Sequence, residues 1–562
     1  MDKKLLPVEI NDFKKLIDDN YYYVDKTLLI KDLLDNLAAV NLFTRPRRFG
    51  KTLNLSMLRY FFERPVKNNK SRAYLFEDKK IVLEGGKYTD HQERYPVIHL
   101  SLKSGRQSEF KLAYEMLKSE IIQEYERHRY VLDALESNNQ RIYQRILDNA
   151  ADDSVWYRSI AFLSRCLETY YGQTVVILLD EYDVPLENAY YCGFYDEMTG
   201  FIRSLSESAF KSNPALKFAV ITGCLRISKE SVFTGLNNLD TISILNTVYK
   251  EHFGFTREET AKLLSDYHIT AKAEQIREWY DGYIFGRTEV YNPWSVINYI
   301  RSACVDENAL PVEYWSNTSS NSIIKDMLAK VDDTVRDEIE TLMQHGTVVK
   351  PVFEAITYQD IYESPDNLWN FLCFTGYLKA VKVWMRNDER VMELKIPNKE
   401  IRNIYRHQIT QWFRHEIQSR DLSLLFEAVL SGREELLQKE LSGLLGNSIS
   451  YMDNYEAFYH GFLLGTLTNM EHYKVTSNRE AGDGRYDLCI VSRNDMKPPV
   501  ILEFKIAAKN RLMQEAAEQA LQQITKNRYD IQLEDDGYKK CIHIGIGFCR
   551  KMCVVKCETV TF

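Results

Sequence analysis

Four short apolar runs frame the first half of the chain. Residues 38–45 (AAVNLFTR), 96–102 (PVIHLSL), 174–180 (TVVILLD) and 217–223 (KFAVITG) are continuous rather than alternating, and each is bounded by polar or turn residues. Strands read this way when both of their faces are buried. Segments with helical spacing lie between them, at 52–64, 108–148 and 195–211. Buried strands alternating with helices predict a mostly parallel sheet covered on both sides, spanning residues 1–250. From 251 to 400 the pattern changes to short helices and turns rich in aromatics, as in WYDGYIFG and YNPWSVINYI. This predicts a largely helical middle domain that ends in a small β element at 378–396. Residues 401–449 keep helical periodicity with many charges and read as a connector. The rest, 450–562, reads as a helix (453–468), a run of strands, a helix (509–528) and two terminal strands, a compact α/β domain.

Composition agrees with several folded domains. The 562 residues exceed what one hydrophobic core organises, and 45% hydrophobic with 27% charged residues is a globular balance. The opening MDKKLLPVEINDFKKLI alternates apolar and charged positions and has neither a signal-peptide pattern nor a membrane span, so a cytoplasmic location is expected. Ten cysteines scattered through apolar segments read as small buried hydrophobes. A net charge of −8 excludes a protein whose whole surface is a nucleic-acid footprint, and leaves room for a local basic channel.

Candidate chemistry begins in FTRPRRFGKTLNL, residues 43–55, where a buried strand runs through a loop into a helix. The closing Gly50, Lys51 and Thr52 fit the second half of the phosphate-binding loop G-x-x-x-x-G-K-[ST], with Arg45 at the first glycine position. Gly50 lets the backbone approach the phosphates, Lys51 reaches their outer oxygens, and the Thr52 hydroxyl is placed for Mg²⁺. A second apolar strand ends in Asp180 and Glu181. There Asp180 is placed to hold the metal through water and Glu181 to polarise the attacking water. A third strand ends at Thr222, followed by Arg226, a hydroxyl and a cation suited to sensing the terminal phosphate. Arg47 and Arg48 admit two readings: charge around a triphosphate, their own or a neighbour's, or pairing with acidic residues of the same domain. The expected nucleotide-binding set is thus Arg47, Arg48, Phe49, Gly50, Lys51, Thr52, Leu53, Asp180, Thr222 and Arg226, with ATP and Mg²⁺ as cofactors.

The last domain carries a second constellation. Asp487 in GDGRYDLCIVS lies on one strand, and Glu503 and Lys505 in PPVILEFKIA lie on the next. Residues two apart in a strand share a face, so Glu503 and Lys505 project together and a hairpin brings Asp487 beside them. Two carboxylates and a lysine on one face suit metal-assisted phosphodiester hydrolysis. The neighbourhood is basic, with Arg485, Lys497, Lys509, Arg511, Lys526 and Arg528, and suits a groove that tracks a phosphate backbone.

Long motifs in both halves match known families. TRPRRFGKT, LLDEYDVP and TGCLRISKESVFTGLNNL, with YYYVDKT, YNPWSV and IPNKE, resemble bacterial AAA-ATPase-like proteins that carry a C-terminal nuclease-like domain. In that family the Arg-Pro-Arg-Arg-Phe-Gly-Lys-Thr loop is the usual form, so Arg45 fits its group. The order helix-Glu, strand-Asp, strand-Glu-x-Lys, helix-Gln resembles the PD-(D/E)XK nuclease superfamily, with Tyr486 where the name has Pro. That resemblance implies Asp487, Glu503 and Lys505 as the catalytic set and Glu456 as an auxiliary metal ligand. It also implies a glutamine of the last helix, Gln523 with Gln519 and Gln522 as alternatives, as a structural or substrate contact.

The expected fold is α/β: an AAA-like phosphate-loop domain, a helical lid and a nuclease-like domain. The expected function is an ATP-dependent or ATP-regulated, Mg²⁺-dependent nuclease acting on DNA rather than RNA, in a setting of defence against foreign DNA. The competing reading is a nucleotide-controlled switch or scaffold whose last domain binds nucleic acid or protein without cutting. AAA-like ATPases often assemble, so a homo-oligomer is expected from the resemblance.

Overall fold

The computed structural model describes all residues except 1–3, 37, 67–69, 212, 228–231, 234–235, 237, 316–332, 363, 419–420, 447–455, 469, 478–479, 483 and 494–496. The chain divides into two units, residues 1–320 with 347–404 and residues 321–346 with 405–562.

The first unit is built on a five-stranded parallel sheet of β1 (Val40–Thr44), β2 (Val97–Ser101), β3 (Val175–Asp180), β4 (Leu216–Gly223) and β5 (Leu239–Ile242) in the order β2-β3-β4-β1-β5. Every residue of β1 and of β3 is buried, which explains why both read as unbroken apolar runs. Among the helices that accompany these strands are α1 (Lys51–Phe62), α2 (Phe110–Arg127), α3 (Val184–Cys192) and α4 (Tyr195–Phe210). The periodic segment 108–148 is not one helix. After α2 a 3₁₀ turn leads to a second helix, Ser137–Leu147, which folds back so that the Tyr143 hydroxyl donates to the Tyr125 carbonyl at 2.7 Å. Burying both tyrosine rings, 4.7 Å apart, is worth more than continuing an exposed helix.

Three helices follow the sheet: α5 (Arg257–Asp266), α6 (Ala273–Tyr280) and α7 (Pro293–Val305). Their core of Phe255, Leu263, Tyr280, Tyr299 and neighbours also takes in Leu6, Tyr22 and Val24, so the N-terminal segment is part of the helical layer. A buried ion pair fixes that join. The Lys26 ammonium donates to both carboxylate oxygens of Glu259 at 2.6 and 2.8 Å and to the Glu251 carbonyl at 2.6 Å. Glu259 also completes the capping box of α5 with Thr256, so one carboxylate both starts the helix and anchors the segment. A small antiparallel sheet, β6 (Val348–Pro351), β7 (Lys379–Arg386) and β8 (Glu389–Lys395), closes the unit in the order β6-β8-β7. The division between the units falls within α8 (Lys399–Gln418).

The second unit holds a mixed sheet of β9 (Tyr473–Ser477), β10 (Leu488–Ser492), β11 (Val500–Ile506), β12 (Lys540–Cys549) and β13 (Met552–Thr561), in that order. All neighbours are antiparallel except β11 and β12, which are joined through α12 (Met513–Lys526). Two earlier helices, α9 (Ser423–Ser431) and α10 (Glu434–Gly446), belong here too. Glu434 and Gln438 of α10 accept from the edge-strand amides of Cys557 and Val555 at 2.8 and 3.2 Å, occupying groups that would otherwise invite another strand. The helix α11 (Glu456–Leu467) precedes the sheet.

The seat of α12 depends on two glycines of β12. A Cβ at Gly545 would lie 2.3 Å from the Ala517 carbonyl oxygen and one at Gly547 would lie 2.1 Å from that of Met513, so only glycine lets the helix backbone come this close. Gly545→Ala is expected to push α12 off the sheet at a cost of about 1–3 kcal/mol or more. A lowered urea midpoint checks this, and an unchanged midpoint would mean that the helix is not seated as described.

Candidate functional site

At the carboxyl edge of the parallel sheet the loop after β1 turns sharply. Arg48 and Gly50 both take left-handed backbone angles, φ 68° and 82°, and Gly50 is the residue on which α1 starts. Such a turn directs successive amides into one concavity. Nothing lies within 4 Å of a Cβ position on Gly50, so the need for glycine here is one of backbone conformation rather than space. Lys51 is buried and its ammonium donates to the Arg45 and Pro46 carbonyls at 2.8 and 2.9 Å, which holds it across the loop.

The loop meets the end of β3. Thr52 Oγ1 donates to Asp180 Oδ2 at 2.7 Å, and Thr222 Oγ1 donates to Asp180 Oδ1. A hydroxyl and a carboxylate joined in this way form a hard-oxygen pair of the kind Mg²⁺ takes. Glu181 follows in a left-handed conformation, φ 52°, and its carboxyl is pushed up by burial first and by the adjacent Asp180 second. A non-glycine residue held there marks a position the surroundings dictate.

One acid was not singled out from the sequence. Asp183 is buried, accepts from the Cys224 and Leu225 amides at 2.7 and 3.0 Å, and has its other oxygen without a partner among the described residues. Burial pushes its carboxyl up. The third acid of DEYD was the available signal.

Lys51, Thr52, Glu181 and Asp183 open onto a cavity of about 560 Å³. Leu6, Ile10, Tyr22, Phe255, Trp294 and Ile297 are also among the residues that line it. A wall of both charged and apolar side chains suits a ligand with phosphates and a planar base.

The arginines of the loop separate. Arg45 is wholly buried: Nη1 donates to the Thr44 and Ile242 carbonyls at 2.9 and 2.8 Å, and the guanidinium lies 5.1 Å from the ring centres of both Phe253 and Phe285. Burial lowers it to about 9, still a cation at neutral pH. In the first-glycine position it therefore serves the aromatic layer beneath the loop. Arg47 is paired with Glu187, whereas Arg48 lies 4.1 Å over the Trp294 ring, and both line the cavity. Phe49 is buried with its ring centre 4.9 Å from that of Tyr283. Thr222 sits behind Asp180, and neither it nor Arg226 is among the cavity-lining residues.

The loop is also tied to a buried carboxyl. Trp315 Nε1 donates to the Arg47 carbonyl at 3.3 Å, and its amide donates to Glu400 Oε1 at 2.9 Å. The Ser295 hydroxyl is a further partner of Glu400. Burial raises Glu400 from 4.5 to about 8, against the hydrogen bonds it accepts. Between those values the unfolded chain has lost a proton that the folded chain keeps, so this contribution to stability is full below about pH 4.5 and is lost as pH rises towards 8. Glu400→Gln, which keeps the neutral shape, is expected to gain on the native protein by a few kcal/mol across that window. Thermal midpoints of both proteins at roughly pH 5 and pH 8 check this, and parallel midpoints would refute it.

In the second unit the Leu488–Leu502 pairing sets Asp487 opposite Glu503. The Phe504 amide donates to Asp487 Oδ2 at 3.0 Å and the Asp487 amide donates to Glu503 Oε2 at 3.3 Å, locking the two carboxylates together. Lys505 Nζ donates to Gln523 Oε1 at 2.7 Å, and Gln523 Nε2 donates to Glu503 Oε1 and, at 3.2 Å, to the Tyr529 hydroxyl. Gln523 is thus the glutamine of α12 that meets the strand residues, while Gln519 bonds Glu515 and Gln522 is exposed. Glu456 is the first residue of α11, and its side chain lies outside the described residues. His460 of α11, which no sequence motif singles out, approaches the Asp487 carbonyl at 3.3 Å. Among the described residues no three or more His, Cys, Asp or Glu side chains converge as a metal site, so a divalent ion here would rest on the Asp487–Glu503 pair. Paired oxygens beside a lysine suit a hard cation and a phosphodiester.

Residues 7–233 match the family model described as a predicted AAA-ATPase, and residues 454–558 match that of the PD-(D/E)XK nuclease superfamily. The chain joins an AAA-ATPase-like domain to a PD-(D/E)XK nuclease superfamily domain. An uncharacterized protein in the vnfD 5′ region of Azotobacter chroococcum mcd 1 is 25% identical over 543 residues, which cover 94% of this chain and 93% of that protein. The AAA-ATPase-like match contains the loop, Asp180 and Glu181; the nuclease superfamily match contains Asp487, Glu503, Lys505 and Gln523. Among the described residues no helix is long and apolar enough to cross a membrane.

Proposed function

We propose that the protein is an ATP-regulated, Mg²⁺-dependent nuclease acting on DNA. The observation that carries this reading is the presence in one chain of two built clusters: Lys51, Thr52 and Asp180 beside a cavity, and Asp487 and Glu503 joined through backbone amides with Glu503 and Lys505 bridged by Gln523. In the first, Lys51 binds the outer phosphates, Thr52 and Asp180 supply oxygens for the metal, and Glu181, with its raised affinity for a proton, accepts one from water. In the second, Asp487 and Glu503 would hold Mg²⁺, which when bound stabilises charge on the phosphate. Lys505 orients the attacking water, and Gln523 fixes the ammonium. Nucleotide binding regulates cutting by favouring one arrangement of the chain, through a difference in affinity for ATP between arrangements. Defence against foreign DNA is a setting consistent with such an activity.

The deciding experiment incubates the purified protein with linear and circular DNA and with RNA, with and without Mg²⁺ and ATP. Cleavage that requires Mg²⁺ and changes with ATP is the expected result. Retention of DNA without any cleavage under all conditions would favour the switch or scaffold reading instead.

A further inference from the structure

The sequence offered Thr222 and Arg226 as sensors of the terminal phosphate, and neither lines the cavity. Two other cations do, on a turn that carries no recognisable motif. Lys103 and Arg106 follow β2, the strand beside β3, with Ser101 in register with Asp180. The Leu102 amide donates to the Asp180 carbonyl at 3.0 Å, so the turn begins directly beside the acidic end of β3.

This turn is built rather than loose. A Cβ on Gly105 would lie 3.0 Å from Pro185 at the start of α3 and 3.2 Å from Leu117 of α2, so the backbone is packed between two helices. Asn188 of α3 donates to the Gln107 carbonyl, and Gln107 Nε2 donates to the Ser104 carbonyl at 3.2 Å. Lys103 and Arg106 are both exposed and both line the cavity that Lys51, Thr52 and Glu181 enter. Their charges are not committed elsewhere: among the described residues neither side chain is in an ion pair, in contrast to Arg47 with Glu187.

We propose that Lys103 and Arg106 contact the terminal phosphate of a nucleoside triphosphate bound by the same chain. The inference rests on the reading of the cavity as a nucleotide site. Charge on the terminal phosphoryl oxygens is highest during its transfer to water, where cations placed in advance have their largest effect. Unpaired cations lose no ion pair when the phosphate arrives. A contact made only to the terminal phosphate would also distinguish a triphosphate from a diphosphate.

The test compares wild type, Lys103→Ala, Arg106→Ala and the double variant for ATP binding, ADP binding and hydrolysis, with thermal midpoints as a check on folding. Lys103→Arg serves as a charge-keeping control. The double variant is expected to keep ADP affinity within about 2-fold, to lose about 10-fold in ATP affinity and to lose about 100-fold in hydrolysis, with Lys103→Arg largely restored. Wild-type rates in the double variant would overturn the proposal while leaving the nucleotide reading intact. Absence of ATP binding by the wild-type protein would overturn both.

Discussion

Lys505→Ala is expected to lower Mg²⁺-dependent DNA cleavage by about 1000-fold or more while leaving ATP binding unchanged. The ammonium lies 2.7 Å from Gln523 Oε1, and the same amide holds Glu503 through its nitrogen, so one side chain sets the spacing between the cation and a carboxylate. Removing the ammonium takes away the cation proposed to face the phosphate and leaves the amide with an unmatched oxygen. Lys505→Arg keeps the charge but not the compact point geometry, and should recover only part of the rate. Cleavage of labelled linear DNA, followed over time with the two variants beside wild type, gives the measurement. Undiminished cutting by Lys505→Ala would remove the nuclease assignment from this face of the sheet.

The second large effect concerns the other cluster. Lys51→Ala is expected to weaken ATP binding by about 100-fold or more, the size of losing two charge-assisted hydrogen bonds at about 1.5–3 kcal/mol each. In the structure the ammonium donates to the Arg45 and Pro46 carbonyls, so the lysine is held over the loop where the proposed phosphate would bind. Removing it also leaves those buried carbonyls without their shared donor, and a modest loss of stability should accompany the loss of affinity. Titration calorimetry with ATP and Mg²⁺ on wild type and variant measures the first effect, and thermal unfolding measures the second. Equal affinities would show that nucleotide, if bound, is not held by this loop.

Much of the fold was legible because it follows from periodicity. The four apolar runs became β1 to β4 within a residue or two at most ends, since a strand buried on both faces has no way to hide its composition. The fifth strand was not legible: Leu239–Ile242 is four residues long and only partly buried, and it exists by pairing with β1. The strand–loop–helix at Gly50 to Thr52 and the Asp-Glu pair at a strand end were legible from local pattern, and so was the shared face of Glu503 and Lys505. Which arginines reach the cavity was not. Three arginines within four positions have three fates, one in an aromatic core, one in an ion pair and one on a tryptophan face, because each fate depends on residues more than a hundred positions away.

The sequence by itself determined the first four strands of the parallel sheet and the two sets of chemical groups. Only the tertiary structure decided that Gln523, and not Gln519 or Gln522, meets Lys505, because the seat of α12 on Gly545 and Gly547 sets which face of that helix looks at the strands. Likewise only the packing of the turn at Gly105 against Pro185 and Leu117 put Lys103 and Arg106 beside the cavity. Short-range patterns fix what a segment becomes, because hydrogen bonding and burial within it repeat along the chain. Which side chains meet is fixed by the close approach of distant backbones, which no local pattern records.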